Sequence, residues 1–303
     1  MRKTLLVTGA TGYIGSNLVK QLLADGHCVH IIVRANSNLD VLNPIQQQLH
    51  IHTHNGTTED LIDLVKNVQP NIVLHLASLF LAQHSSSDIH RLVHSNVLFP
   101  CQLLEAMVAN NIKHFINTGT SWQHHDNKPY NPVNLYAASK QAFEDLLTYY
   151  TETGQIKASS LLLFDTYGPA DPRGKLISML WKTATTQTAL AMSPGEQEID
   201  LVHIDDVLHA FQCTIKHLPS QTLSHIRYGV SSGKPLQLKQ LVREFEHITG
   251  LKLPIQFGGR TYRPREVMHT WDQFQSIPGW EPRVPLSQGL PLSNPFHNTE
   301  HPQ

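Results

Sequence analysis

The stretch Leu5–Leu23, LLVTGATGYIGSNLVKQLL, decides the fold. A short apolar run, Thr4–Thr8, enters a turn carrying Gly9, Gly12 and Gly15, and a helical pattern over Ser16–Asp25 follows. Glycines in a strand–turn–helix unit permit a tight turn, close approach of backbone to a pyrophosphate, and close helix–strand packing. The helix N-terminus offers free N–H groups and a favourable dipole to an anion. The spacing is GxxGxxG, a relative of the dinucleotide fingerprint. Its context, strand before and helix after, is the one that gives the pattern meaning.

Outward from this unit the alternation continues. Apolar runs at Val29–Val33, Leu49–Thr53, Ile72–Leu76, Phe115–Thr118 and Ala158–Phe164 read as strands. Helical patterns at Glu59–Val68, Ile89–Asn110 and Leu135–Thr151 lie between them. Such alternation predicts a parallel sheet covered on both faces, a Rossmann-type doubly wound α/β fold. After Gly168 the turn-rich GPADPRG marks a boundary. A helix is expected over Lys175–Thr186, and LVHIDDVLHAFQCTI reads as a strand end running into a helix that returns to the main sheet. A further helix is expected over Leu236–Thr249. The expected division is 1–168 with 200–230 as the dinucleotide domain, 169–199 and 231–290 as a smaller C-terminal substrate-binding lobe, and 291–303 as a tail. The Pro/Ser/His/Asn-rich stretch from Leu286 is expected to lose order towards its end.

Composition narrows the function classes. The chain has 303 residues, enough for a large core, and a formal net charge of −1. That balance gives no footprint for nucleic acid or an anionic membrane, and no apolar run is read as long enough to span a bilayer. The basic start MRK precedes only a few apolar residues before the glycine turn, so a buried strand is read there rather than a signal peptide. Cys28, Cys101 and Cys213 are scattered without CxxC spacing, which argues for a reducing, cytoplasmic setting. Histidine is abundant, at 20 residues. His50, His52 and His54 alternate on a strand, His90 and His94 are one helical turn apart, and His124 adjoins His125. None carries a recognisable ligand set around it, so no metal is expected and surface enrichment is the reading.

The end of the second strand bears on cofactor choice. An acidic residue there binds the ribose 2′-hydroxyl of NAD. Val33 stands in that place, followed by Arg34, Ser37 and Asn38. A guanidinium with small polar donors suits a 2′-phosphate, which favours NADP(H), with NAD(H) as the alternative. Further along, NLYAASKQAFEDL (Asn134–Leu146) places Tyr136 and Lys140 at i and i+4 on one helix face.

Together, TGATGYIG, HLAS (75–78), NTGTSW (117–122), YAASK (136–140), FDTYGP (164–169) and VHIDDV (202–207) stand in the order of a family. Over about residues 4–270 the chain resembles the extended short-chain dehydrogenase/reductases of the NAD-dependent epimerase/dehydratase group, which act on nucleotide sugars. NTGTSWQHHD, YNPVNLYAASKQAFED and FDTYGPADPRGK are most similar to the CDP-abequose synthase-like reductases of CDP-4-keto-3,6-dideoxyhexoses, enzymes of lipopolysaccharide O-antigen sugar supply.

The resemblance implies a catalytic set of Thr120, Tyr136 and Lys140. Tyr136 exchanges a proton with the sugar oxygen, Lys140 lowers the phenol's pKa and binds the nicotinamide ribose, and Thr120 orients the oxygen, with Ser121 its nearest rival. It implies cofactor contacts from Gly9, Thr11, Gly12, Tyr13, Ile14, Gly15, Arg34, Ser37, Asn38, Leu76, Ala77, Ser78, Thr118, Tyr136 and Lys140. Substrate contacts fall on Ser121, Asp165, Thr166, Lys175, Arg263 and Arg265; Arg263 and Arg265 resemble a phosphate-binding Arg of the family and carry that load together, with Lys175 and Arg173 weaker candidates. Asp165 stands where many relatives have Asn, and Ile199 where an Arg is common. Dehydratases of the group carry an Asp–Glu pair after the hydroxyl residue, where this chain has Ser121 and Trp122, so dehydration is not expected. Reduction of a C4 ketone or 4-epimerisation remains, and Arg34 tilts the choice to an NADP(H)-dependent reductase. A non-catalytic cofactor sensor would have no need of all three catalytic residues. A homodimer through the helix pair that includes the Tyr–Lys helix is implied by the family.

Overall fold

The computed structural model describes residues 1–295. Its centre is a seven-stranded, all-parallel sheet. In chain order the elements of the first half are β1 (Thr4–Thr8), α1 (Tyr13–Ala24), β2 (Cys28–Arg34), β3 (His50–His54), α2 (Thr58–Val68), β4 (Ile72–His75), α3 (Ile89–Val93), α4 (Phe99–Ala109), β5 (His114–Thr120), α5 (Leu135–Glu152) and β6 (Lys157–Leu163). The strands read from the sequence are all present to within two residues at either end. Helix α1 starts three residues earlier than its apolar pattern, because Gly12 itself is the N-cap and the helix springs directly from the turn.

The second half adds β7 (Asp165–Tyr167), α6 (Leu176–Thr186), β8 (Leu190–Met192), β9 (Glu198–Ile199), β10 (Leu201–His203), α7 (Ile204–His217), β11 (His225–Val230), β12 (Leu236–Gln237), α8 (Leu238–Thr249), β13 (Ile255–Phe257) and α9 (Leu286–Leu292). Strand order in the main sheet is β11-β6-β5-β4-β1-β2-β3. The order reverses between β1 and β4, which opens a crevice at their C-terminal ends, where such sheets bind ligands.

Two cores cover the sheet. Leu5, Val7, Ile31 and Leu74 face one way, against Leu18, Leu22, Val207 and Phe211 of α1 and α7. Leu6, Ile32, Val73 and Phe115 face the other, against α2, α4 and α5 through Leu61, Leu103, Met107, Phe143 and Leu147. Both faces being apolar explains why the strands read as nearly unbroken hydrophobic runs. A third core, with Leu180, Trp181, Leu201, Leu241, Phe245 and Leu290, gathers α6, α8 and α9.

Four expectations change. The strand end at Leu201–His203 does not join the main sheet; it pairs in parallel with Asp165–Tyr167, while α7 returns to pack on α1. The seventh strand is instead His225–Val230, paired with β6, whose polar first half (HIR) hides it from an apolar-run reading. The helix over Ile89–Asn110 is present but carries a π-helical turn at His94–Leu98. With its leading turn it spans Ser86–Ala109, 24 residues with an 18-residue window of mean hydropathy 1.2, long and apolar enough by length and composition to cross a membrane. Here its apolar face, Leu92, Leu103, Leu104 and Met107, is buried within the protein. Finally, the chain from Leu286 is helical to Leu292, with Leu290 fully buried and Trp181 Nε1 donating to Ser293 Oγ at 3.2 Å. Of the expected tail, residues 296–303 lie outside the described residues.

Candidate active site

The glycine turn is built as its sequence requires. Gly9 has φ +73°, and a Cβ there would meet the Ala77 nitrogen at 2.5 Å, so only glycine lets β1 and β4 converge at the crevice. A Cβ on Gly15 would sit 2.1 Å from the Gly9 carbonyl oxygen, so it allows α1 to pack on its own turn. Gly12 is exposed, and the first turn of α1 has neither a side-chain cap nor an acidic residue. Its leading amides are therefore available to an anion, which is the condition a dinucleotide pyrophosphate needs. Thr11 and Ile14 flank this opening. The Tyr13 side chain is placed otherwise: its hydroxyl donates to the Pro169 carbonyl at 3.1 Å and its ring lies under Arg173. Its backbone amide is what it can offer a phosphate.

Beside the turn, the loop after β4 carries Leu76, Ala77 and Ser78. Thr8 fixes it, its carbonyl accepting from the Leu76 N–H and its hydroxyl from the Ala77 N–H at 3.1 Å. Thr118, inside β5, holds a buried hydroxyl without a partner among the described residues. At the end of β2, Arg34 is exposed and has no carboxylate within ion-pair distance among the described residues. Ser37 closes the turn by accepting from the Arg34 N–H at 3.0 Å, and the Asn38 carbonyl accepts from the Asp40 N–H, leaving the Asn38 amide group as a donor. These residues fit a dinucleotide with its adenosine end at β2.

The reactive end lies where β5 meets α5. Asn134 caps α5, its Oδ1 accepting from the Ala137 N–H at 2.9 Å. One residue into the helix comes Tyr136, and one turn later Lys140, only 2% exposed. Burial pushes the Tyr136 phenol up to about 12, opposed by the Ser78 hydroxyl. Burial pushes Lys140 down to about 8, opposed by the carboxylate of Glu144. Ser78 is the group that pulls the phenol down, and Lys140 is sunk in the interior beside Glu144 and His75. His75 is fully buried, held by Thr8 Oγ1 at 2.9 Å, and kept neutral by burial first and by Lys140 second.

Glu144 belongs to a network the sequence reading missed. Fully buried, it accepts from Gln123 Nε2 at 3.0 Å and pairs with Arg227 Nε at 3.2 Å. Gln123 in turn accepts from the Thr120 N–H at 2.9 Å. The end of β5 is thus tied to the Tyr–Lys helix through one glutamine. Thr120 Oγ1 accepts from the Trp122 N–H at 3.3 Å, which leaves its O–H free to donate to a substrate oxygen. Ser121 follows, opening the short turn Ser121–Gln123.

Two aromatics complete the cleft. Phe80 is 46% exposed and meets Tyr136 edge-on with centroids 5.0 Å apart; Trp122 lies 5.8 Å from Phe80. The Phe80 loop is fixed from both sides. Asn96, buried in the π-helical turn, accepts from the Leu79 N–H at 2.7 Å and donates to Ser139 Oγ, while Asn134 Nδ2 donates to the Leu81 and Ala82 carbonyls. Lys175 Nζ sits 5.5 Å from the Phe80 ring centre and 3.5 Å from Asp165 Oδ1. The Arg263 guanidinium carbon lies 5.7 Å from the Trp122 ring centre, with the guanidinium paired to Glu266.

The remaining candidates are held by other contacts. Arg265 donates from Nε to the Pro132 carbonyl at 2.9 Å and from Nη2 to Asn131, so it braces the loop leading into α5. Arg173 donates to Asp171 and to the Thr166 carbonyl and braces the turn after β7. Thr166 is buried, its hydroxyl facing the Phe164 carbonyl, and it lines a small pocket with Asp165, Lys175 and Ile199. Phe80 lacked a motif to reveal it. Glu144 had a signal, a carboxylate at i+4 from Lys140.

A crevice at the sheet's reversal, a glycine turn under an uncapped helix and a Thr–Tyr–Lys set at its inner end define an NAD(P)-dependent enzyme of the short-chain dehydrogenase/reductase type. The sequence model of the NAD dependent epimerase/dehydratase family matches residues 5–226, and the chain belongs to that family. Among its relatives, CDP-abequose synthase of Salmonella muenchen is 26% identical over 96% of this chain and 96% of its own length. CDP-abequose synthase of Yersinia pseudotuberculosis is 28% identical, covering 90% and 93%. Among solved structures, UDP-glucose-4-epimerase of Stenotrophomonas maltophila with bound NAD and formylated UDP-arabinopyranose superposes with a TM-score of 0.86. That match is 20% identical and covers 98% of each chain, a likeness of fold.

Proposed function

We propose that this protein reduces the C4 ketone of a CDP- or dTDP-linked 4-keto-deoxyhexose with NADPH. The observation that carries the proposal is Tyr136, one helical turn before Lys140, in edge-on contact with Phe80, which lies against Trp122, with Ser121 and Trp122 after Thr120 where a dehydratase would need an acidic pair. Phenyl and indole surfaces suit the CH₂ and CH₃ groups of a deoxygenated sugar better than its hydroxyls.

The nicotinamide, when bound, supplies a hydride to C4. Tyr136 donates a proton to the C4 oxygen as it gains charge, and Thr120 Oγ1 holds that oxygen by donating a hydrogen bond. Lys140, charged, stabilises the phenolate that Tyr136 becomes, and Glu144 keeps Lys140 in place. Ser121, Asp165 and Lys175 contact the sugar, and Arg263 with Lys175 attracts the diphosphate from the mouth of the cleft. The proposed lobe, 169–199 and 231–290, holds the nucleotide, and the 1–168 and 200–230 portion holds the cofactor.

The unpaired Arg34 supports NADP(H) over NAD(H), through the 2′-phosphate. A 4-epimerase using bound NAD is the second reading, favoured by the fold shared with an NAD-bound UDP-glucose-4-epimerase. We further propose a homodimer through α3, α4 and α5. These helices pack together and leave Ile89, Val93, Leu98, Leu146 and Tyr149 exposed. The deciding experiment follows absorbance of the reduced nicotinamide with CDP- and dTDP-4-keto-6-deoxyhexoses and with CDP-4-keto-3,6-dideoxyhexose. Stoichiometric loss of NADPH is the reductase result, and sugar interconversion without loss is the epimerase result.

A further inference from the structure

We propose that Cys28, His30 and His50 form a site for a divalent transition metal of the zinc class, at the outer edge of the main sheet and separate from the catalytic cleft. β2 and β3 run parallel, with His30 opposite His50 and Ile32 opposite His52. Because side chains alternate along a strand, Cys28 and His30 share a face of β2, and register brings His50 and His52 to that same face of β3. The sulfur of Cys28 lies 3.5 Å from His30 Nε2. One donor atom from each of Cys28, His30 and His50 falls within 4.8 Å of the others.

These distances match a coordination sphere. Zinc binds thiolate at about 2.3 Å and imidazole at about 2.0–2.1 Å in tetrahedral sites. At a tetrahedral angle those bond lengths separate sulfur from nitrogen by about 3.5 Å. The cluster needs little rearrangement at its Cys28–His30 edge to accept an ion.

His52 supplies the outer support. His30 Nδ1 lies 2.9 Å from His52 Nε2, so a proton on Nδ1 is donated there and the Nε2 lone pair of His30 is left facing the sulfur. Ligand histidines are characteristically oriented in this way by a partner on their other ring nitrogen. The rings of His30 and His50 stack at 4.4 Å, which sets the second ligand beside the first. His50 is exposed and Cys28 half-buried, so an ion can enter from solvent and keep a water or an external ligand in its fourth position. β3 is the edge strand, so a bound ion would fasten the edge to its neighbour.

The test uses the full chain without an affinity tag, titrated with Co²⁺ and then Zn²⁺. The expected result is one Co²⁺ per chain with thiolate-to-cobalt charge-transfer absorption, displaced by Zn²⁺, and a rise in Tm with Zn²⁺. Cys28→Ser should abolish the charge-transfer band. His50→Gln, at an exposed position that the fold does not depend on, should weaken Co²⁺ binding at least about tenfold, and His52→Gln should weaken it about tenfold. A control, His90→Gln with His94→Gln, should bind as the parent does. Absence of the band at excess Co²⁺, or parental affinity in His50→Gln, would overturn the proposal. Nicotinamide-cofactor binding by each variant reports separately that the fold is intact.

Discussion

The ring of Phe80 meets the ring of Tyr136 edge-on, with centroids 5.0 Å apart. It is positioned by hydrogen bonds to its loop from Asn96 and Asn134, which hold the ring beside Tyr136. Phe80→Ala should lower kcat/KM for the keto-sugar about tenfold, or ~1.4 kcal/mol of transition-state binding. Tm should change little, because the side chain is half-exposed. A fall in Tm with unchanged kinetics would assign Phe80 to packing instead.

Tyr136→Phe keeps the ring against Phe80 and removes the proton. Hydride transfer should fall by about 10²–10⁴, the contribution of a positioned acid. NADPH affinity, read by fluorescence titration, should stay within a few-fold of the parent. Retained turnover would remove Tyr136 from the mechanism.

Lys140 should set the alkaline limb of the pH profile. A buried amine pushed down to about 8 is charged below that pH and neutral above it, whereas Tyr136, held up to about 12, keeps its proton throughout the working range. kcat/KM for ketone reduction should therefore fall as pH rises through about 8. Lys140→Arg, with a guanidinium that stays charged, should shift the limb upward even where the rate is reduced. A limb that stays put in Lys140→Arg would assign it to another group.

Arg34 should discriminate between cofactors. Arg34→Ala should remove the proposed charge-assisted pair with a 2′-phosphate, a kind of pair worth about 1.5–3 kcal/mol. The expected result is a ten- to hundredfold loss of kcat/KM with NADPH and no change with NADH. Equal losses with both would show that Arg34 does not read the phosphate.

Leu146 and Tyr149 lie on the exposed side of α5, 38% and 63% exposed. Leu146→Glu with Tyr149→Glu should convert a dimer into a monomer by light scattering. A parent that is itself monomeric would remove the dimer proposal.

Legibility in the sequence followed the range of the interactions. The glycine turn and the Tyr136–Lys140 spacing are local, so strand–turn–helix chemistry and helical periodicity expose them. Six of the seven sheet strands carry apolar residues enough to be read from the sequence; His225–Val230, polar in its first half, does not. Phe80 comes from a separate loop, and only packing brings it beside Tyr136; Gln123 and Glu144 are local to Thr120 and Lys140, but only packing joins them to each other. Arg263 and Arg265, two residues apart, looked equivalent as phosphate ligands. The structure separates them, one over Trp122 and the other bracing Asn131 and Pro132. The His50–His54 alternation was visible, but Cys28 and His30 join it only through the β2–β3 register.

The most direct test of the central claim is transfer of deuteride from [4-²H]NADPH to a CDP- or dTDP-4-keto-deoxyhexose, read by mass spectrometry and NMR of the product. One deuterium per sugar is expected, at C4, with one NADPH consumed per product and transfer by Tyr136→Phe at least about a hundredfold slower. Sugar interconversion with no deuterium gained and no NADPH consumed would contradict it.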